Sequence, residues 1–141
     1  MVILDTDHVT LLFAGGPAGS RIKRRLAPLA DGDVATTVIT YEEQSRGWLS
    51  YVSKAKTVEK SVEAYRRLED HLNSFKAMPV VGFADVAAVE FQRLRRLGIR
   101  VGTMDLRIAS IAITYGATVL SRNLRDFRRV PDLHVEDWSA P

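Results

Sequence analysis

Four acids stand at places along this chain where carboxylate chemistry could be assembled: Asp5 in "VILDTD", Glu43 in "TYEEQSRG", Asp105 in "GTMDLRIASIAI" and Asp126 in "SRNLRDF". Asp105 poses the sharpest question. Behind it, Ile108, Ile111, Ala112 and Tyr115 share one side of a helical stretch. Leu106, Ala109 and Ile113 cover most of the rest, leaving Arg107, Ser110 and Thr114 as a narrow polar stripe. A helix so apolar is buried by its neighbours, and this one carries a carboxylate at its mouth. Two carboxylates 4 Å apart repel by roughly 4 kcal/mol at an effective dielectric of 20. A cluster of them therefore needs protonation or a divalent cation. Mg²⁺ accepts one or two protein carboxylates, keeps several waters and uses substrate phosphate for the remainder. Next to a basic surface, that chemistry is hydrolysis of a phosphodiester by metal-activated water.

Such acids act together only if the fold brings them to one place. "MVILDTD" reads as a buried strand ending in acids, and "DVATTVIT" as a second strand, with Thr40 opening a helix to about Val52. "GGPAGS", Gly15 to Ser20, reads as a loop before a basic helix that Pro28 disturbs. Val58, Val62, Tyr65, Leu68, Leu72 and Phe75 mark the longest helix. "PVVGF" is a third strand. Ala87, Phe91, Leu94 and Leu97 mark a helix stopped by Gly98, and the Asp105 helix runs from about Met104 to a stop at Gly116. "ATVLS" and "LHVED" complete the strands. Strands alternating with helices imply an α/β fold of three layers, with a central, mostly parallel sheet of four to five strands and helices on both faces. Ligand sites in such sheets lie beyond the carboxyl ends of the strands. Asp5, Glu43 and Asp126 are expected on that rim. Asp105 joins them if the "GIRVG" loop runs back to it.

Each acid also has an ordinary structural role open to it. Thr40 to Glu43 has the spacing of a capping box. Asp105 complements a helix dipole with Thr103 as the cap. Asn123 to Asp126 is again cap-like, and Asp7 could cap a helix beginning near His8. What the ordinary readings leave unexplained is why all these acids belong to one rim.

The bulk numbers bound the possibilities. With 141 residues, 46% hydrophobic and 26% charged, the chain is expected to form one domain over residues 1–141. No apolar run approaches the roughly 20 residues of a membrane span, and no signal-peptide pattern opens the sequence, so a cytoplasmic location without membrane attachment is expected. The absence of cysteine excludes disulfides and thiolate metal sites. The net charge is only +3, yet nine arginines lie between Phe91 and Arg129 against the acids Asp105 and Asp126, and a second cluster holds Arg21, Lys23, Arg24 and Arg25. A solvated helix face explains either cluster alone; both together suit a nucleic-acid partner. His8, His71 and His134 are too scattered for zinc and are expected in solvated or capping roles. "GGPAGS" lacks the Gly-Lys-Ser/Thr of a phosphate loop.

These segments resemble the PIN-domain family, specifically the VapC-type ribonuclease toxins of toxin–antitoxin pairs. "LDTD" resembles the family's opening LDTN, "TYEEQSRG" its T-x-x-E-x-x-x-G segment, and "GTMDLRIASIAI" with "ATVLSRNLRDF" its D-x-x-I-A-A…T-R-N-x-x-D-F region; "LHVEDW" is similar to the usual ending. The resemblance covers nearly the whole chain. It implies an Mg²⁺-dependent endoribonuclease (Mn²⁺ being the alternative ion) with Asp5, Glu43, Asp105 and Asp126 as catalytic acids and Asp5 and Asp105 as metal ligands. It selects Glu43 over Glu42. Either Asn123, through its carbonyl, or Asp126 completes the site. Asp7 stands where Asn is common. The resemblance further implies an RNA substrate such as transfer RNA, a homodimer, and a VapB-like antitoxin whose C-terminal segment covers the acids. Trp48, Leu49 and Val52 fit either a partner groove or the core, with the core expected. Two other readings gather acids similarly: a PIN-like domain that binds RNA without cutting it, and a receiver-type phosphoacceptor domain. The latter wants a late lysine, where Arg122 and Arg125 stand here.

Overall fold

A computed structural model describes all residues, Met1–Pro141. Five strands, β1 (Val2–Leu4), β2 (Val34–Thr37), β3 (Val80–Val81), β4 (Thr118–Leu120) and β5 (His134–Glu136), form one sheet in the order β3-β2-β1-β4-β5, every pair parallel. Seven helices accompany it: α1 (Thr6–Ala14), α2 (Gly16–Leu26), α3 (Val38–Ser53), α4 (Val58–Lys76), α5 (Asp85–Arg96), α6 (Thr103–Thr114) and α7 (Leu124–Phe127). The expected sheet is thus present and wholly parallel. Its winding reverses between β1 and β4, which join in register Val2–Thr118 to Leu4–Leu120.

Alternation along the strands builds the three layers. Ile3 and Val119 pack on one side with Leu94 of α5, Ile108 and Ile111 of α6, and Phe127 of α7. Val2, Leu4 and Leu120 face the other side, against Val9 of α1, Ile22 of α2, Phe75 of α4 and Trp138. Burying each such aliphatic side chain contributes about 1.5–3 kcal/mol.

Several local expectations differ from the structure. Gly16–Ser20 of "GGPAGS" belong to α2, with Pro17 in its first turn, where a missing N–H costs nothing. Gly19 is buried against α1, and a Cβ there would overlap the Leu11 carbonyl oxygen. Gly19→Ala is therefore expected to cost about 2–3 kcal/mol, read as a lower denaturant midpoint with an unchanged slope. α4 is the longest helix, as expected, but its inward face is not the expected one: Val58, Val62, Tyr65 and Leu72 are exposed, and Ala64, His71 and Phe75 face inward. Trp48 and Val52 are half-buried and Leu49 is exposed, so none belongs to the core. Their helix packs one edge on α1 and α4 and turns this edge outward. His8 and His71 are buried rather than solvated: His8 is hydrogen-bonded at both ring nitrogens, whereas His71 meets the Ser45 hydroxyl through Nε2 and leaves Nδ1 without a partner. No helix is long and apolar enough to cross a membrane.

Candidate active site

The carboxyl rim beside the β1–β4 junction collects side chains from four segments. Asp5 follows β1 and is the N-cap of α1, its Oδ1 accepting from the Thr6 N–H at 2.6 Å. Asp7, expected as a cap, is therefore already inside the first turn of α1, two residues past the true cap. Across the junction, the Ser121 hydroxyl donates to Asp5 Oδ2 at 2.8 Å and accepts from the Asn123 N–H at 3.0 Å.

Glu43 reaches the rim on α3, whose start lies at Val38 rather than Thr40. Thr37 is the cap, its hydroxyl accepting from the Thr40 N–H at 3.1 Å. Glu43 consequently sits in the second turn, not the first, and is not part of a capping box; no helix-end duty accounts for it. Flanking contacts hold it in place: the Thr6 and Thr40 hydroxyls meet at 3.3 Å, and Gln44 donates to the Thr10 hydroxyl at 2.8 Å.

Asp105 is in the first turn of α6, whose N-cap is Gly102, with Thr103 already helical. Its place on the rim follows from the far end of the same helix. Gly116, at φ 59°, turns the chain directly into β4, and the Ala117 N–H returns to the Ala112 carbonyl at 2.9 Å. A helix joined so tightly to the start of a parallel strand must begin at the strand's carboxyl edge. Asp126 comes from α7, and between the two acids lies Asn123. Its side-chain N–H₂ donates to Asp105 Oδ2 at 3.2 Å and to Asp126 Oδ2 at 3.1 Å. The amide oxygen has no place facing two acceptors, so the chemistry fixes the orientation. Asn123 makes no capping bond of its own.

Crowding of like charge shows in proton affinity. Burial chiefly, then repulsion from Asp7 and Asp105, raises the Asp5 pKa to about 6, against the lowering effect of Ser121 and the Thr6 N–H. Burial and then Asp105 raise that of Glu43, which the Thr6 hydroxyl partly offsets. Burial and then Asp126 raise Asp105, with Asn123 pulling the other way. Asn123→Ala, which removes both donors, is expected to push the Asp105 titration midpoint further up in carboxyl carbon NMR spectra.

No three His, Cys, Asp or Glu side chains stand in a ready-made metal-ligating group. Two features nonetheless fit a hard divalent cation. The donors are all oxygen, and Glu43 Oε1 is buried without a hydrogen-bond partner. A buried carboxylate oxygen left bare is costly unless a cation or its water meets it. Arg93 and Arg129 alone among the nine arginines of residues 91–129 meet a carboxylate within 4.0 Å; Arg122, Arg125 and Arg128, which flank Asn123 and Asp126 in the chain, are exposed and unpaired.

Sequence reasoning passed over Ser121, Thr6 and the bridging amide of Asn123. Ser121 is the polar residue that closes the strand "ATVLS", and that position was the available signal.

Comparison with known proteins gives a consistent result. The family model described as PIN domain matches residues 2–133. Ribonuclease VapC1 of Haemophilus influenzae is 25% identical over 97% of both chains. The tRNA(fMet)-specific endonuclease VapC of Salmonella typhimurium is 33% identical over 57% of this chain and 64% of its own length, and ribonuclease VapC2 of Rickettsia felis is matched over only 34% of its length. Among solved structures, the Rickettsia felis VapBC2 complex bound to a promoter DNA fragment superposes with a TM-score of 0.73 at 26% identity, covering 98% of this chain and 99% of that one.

Proposed function

The chain belongs to the PIN-domain family, and from that premise we propose that it is a divalent-metal-dependent endoribonuclease, the toxin of a VapBC-type toxin–antitoxin pair. The observation that carries the proposal is the Glu43 oxygen, buried and bare among acids that raise one another's proton affinity. Asp5 and Asp105 are the residues to hold Mg²⁺ (or Mn²⁺), with Glu43 and Asp126 beside them. When bound, the cation supplies an activated water and shields charge on the phosphate.

The chain's own residues supply the rest. Ser121 and the Thr6 N–H fix the Asp5 carboxylate. The Asn123 amide holds Asp105 and Asp126 together despite their repulsion. Glu43, raised in pKa by burial and Asp105, is suited to take a proton from an attacking water. Unpaired Arg122, Arg125 and Arg128 attract an RNA backbone toward the rim. Structured RNA such as transfer RNA is the proposed substrate class, and a VapB-like antitoxin and a second copy of the chain are the proposed partners. A phosphoacceptor role finds no support in the family match.

Purified protein is expected to cleave RNA with Mg²⁺, to stop with chelator, and to resume when Mg²⁺ is restored. Binding of RNA without cleavage under all three conditions would instead identify a non-cutting PIN-like domain.

A further inference from the structure

His8 is the most enclosed ionisable side chain in the molecule, with no exposure at all, and nothing in the proposed chemistry uses it. Its two ring nitrogens face in different directions. Nε2 accepts from the Trp138 backbone N–H at 3.0 Å, so the ring proton is on Nδ1, which stands 2.7 Å from Asp7 Oδ1. Asp137 Oδ1 lies 3.5 Å from Nε2, but the Ser139 N–H and hydroxyl already occupy it. Asp7 in turn accepts from the Arg122 N–H, at 3.0 Å on Oδ2 and 3.2 Å on Oδ1. That peptide joins Ser121, the donor to Asp5, with Asn123, the donor to Asp105 and Asp126. The Trp138 end of the chain of bonds is itself anchored: Arg21 Nε donates to the Ser139 carbonyl at 2.7 Å, and the Arg25 guanidinium lies 4.3 Å from the Trp138 ring centre.

We propose that His8 is a positioning residue for the reaction, holding Asp7 against the Ser121–Asn123 turn that orients the acids. The proposal rests on the endoribonuclease reading but reaches residues outside its acidic group. His8 touches no reacting atom. It fixes Asp7, which fixes the turn, and the turn fixes Asp5 and Asp105. Supporting bonds of this kind change metal affinity or turnover by roughly 10–100-fold when cut.

Two substitutions separate its two bonds. His8→Asn puts an amide N–H where Nδ1–H was, so the Asp7 bond survives and the Trp138 bond does not. His8→Gln does the reverse. Each is assayed per folded molecule, with Asp7→Ala as a third variant that disturbs no core residue. The expected result is a roughly tenfold lower kcat on RNA for His8→Gln and Asp7→Ala at nearly unchanged KM, with His8→Asn recovering most of the loss. In metal-free protein the Arg122 amide resonance should move in His8→Gln and Asp7→Ala and stay close to its original position in His8→Asn. An unmoved Arg122 amide in His8→Gln, or equal kcat in His8→Gln and His8→Asn, overturns the proposal while leaving the nuclease reading intact. Absence of cleavage by the unaltered protein removes that reading instead, and the Arg122 resonance then still decides whether His8 sets the turn.

Discussion

Asp105→Asn is expected to lower RNA cleavage by roughly 10²–10³-fold or more per folded molecule without unfolding the protein. The change keeps size and shape and removes a charge that burial and Asp126 both penalise. Asn123 can still donate to the new amide oxygen, so the rim keeps its hydrogen bonds. What disappears is one of two carboxylates proposed to hold the cation, on a helix whose Leu106, Ile108, Ala109 and Ile111 are buried and hold it rigid. Cleavage of a fluorogenic RNA, with circular dichroism to check folding, gives the result. Turnover within a fewfold of the original would remove Asp105 from the chemistry.

A second large effect should appear in thermal unfolding, with a sign that depends on pH. Asp5 has a pKa of about 6 in the fold against 3.8 unfolded. Between those values the folded state binds more protons, so stability falls as pH rises through this window and levels off above 6. The loss from Asp5 alone is about 3 kcal/mol, and the raised Glu43 and Asp105 act in the same direction. Metal-free protein should therefore melt lower at pH 7.5 than at pH 5. Saturating Mg²⁺, which needs ionised carboxylates, should raise the melting temperature at pH 7.5 by roughly 6–10 °C, corresponding to about 100 times its Kd, and do little at pH 5. Asp5→Asn should raise the metal-free melting temperature at pH 7.5 and abolish the Mg²⁺ increment. An increment that persists in Asp5→Asn, or one independent of pH, would show that the ion binds elsewhere.

Much of the architecture was legible because its cause is local. Val2–Leu4 and Thr118–Leu120 are short apolar runs between polar stops, and Gly98 and Gly116, both at positive φ, end helices where a side chain would be strained. Where local pattern failed, a tertiary contact decided. "GGPAGS" looks like punctuation, yet Pro17 suits a first helical turn and Gly19 is small so that α2 can lie against α1. Thr40 and Glu43 have capping-box spacing, but β2 ends at Thr37 and the helix starts there, which frees Glu43 from that duty.

The acids could be singled out as candidates from the sequence because the order of the short motifs that carry them is distinctive. Asp105 was conditional on the "GIRVG" loop running back to the rim; the tight joint of α6 to β4, visible only in the structure, accounts for its place there. The bonds that orient these acids were not legible. Ser121 meets Asp5 across 116 residues, Asn123 meets Asp105 across 18, and Trp138 meets His8 across 130. No periodicity encodes such pairs; they exist only after the sheet has brought β1, β4 and the last segment side by side.

Crystals soaked in Mn²⁺ and measured at the manganese absorption edge would locate the ion by its own scattering. One peak within bonding distance of both Asp5 and Asp105, at the carboxyl ends of β1 and β4, is the predicted result. A fully loaded crystal with its manganese elsewhere, or with those two side chains still bound only to Ser121, Thr6 and Asn123, would contradict the account.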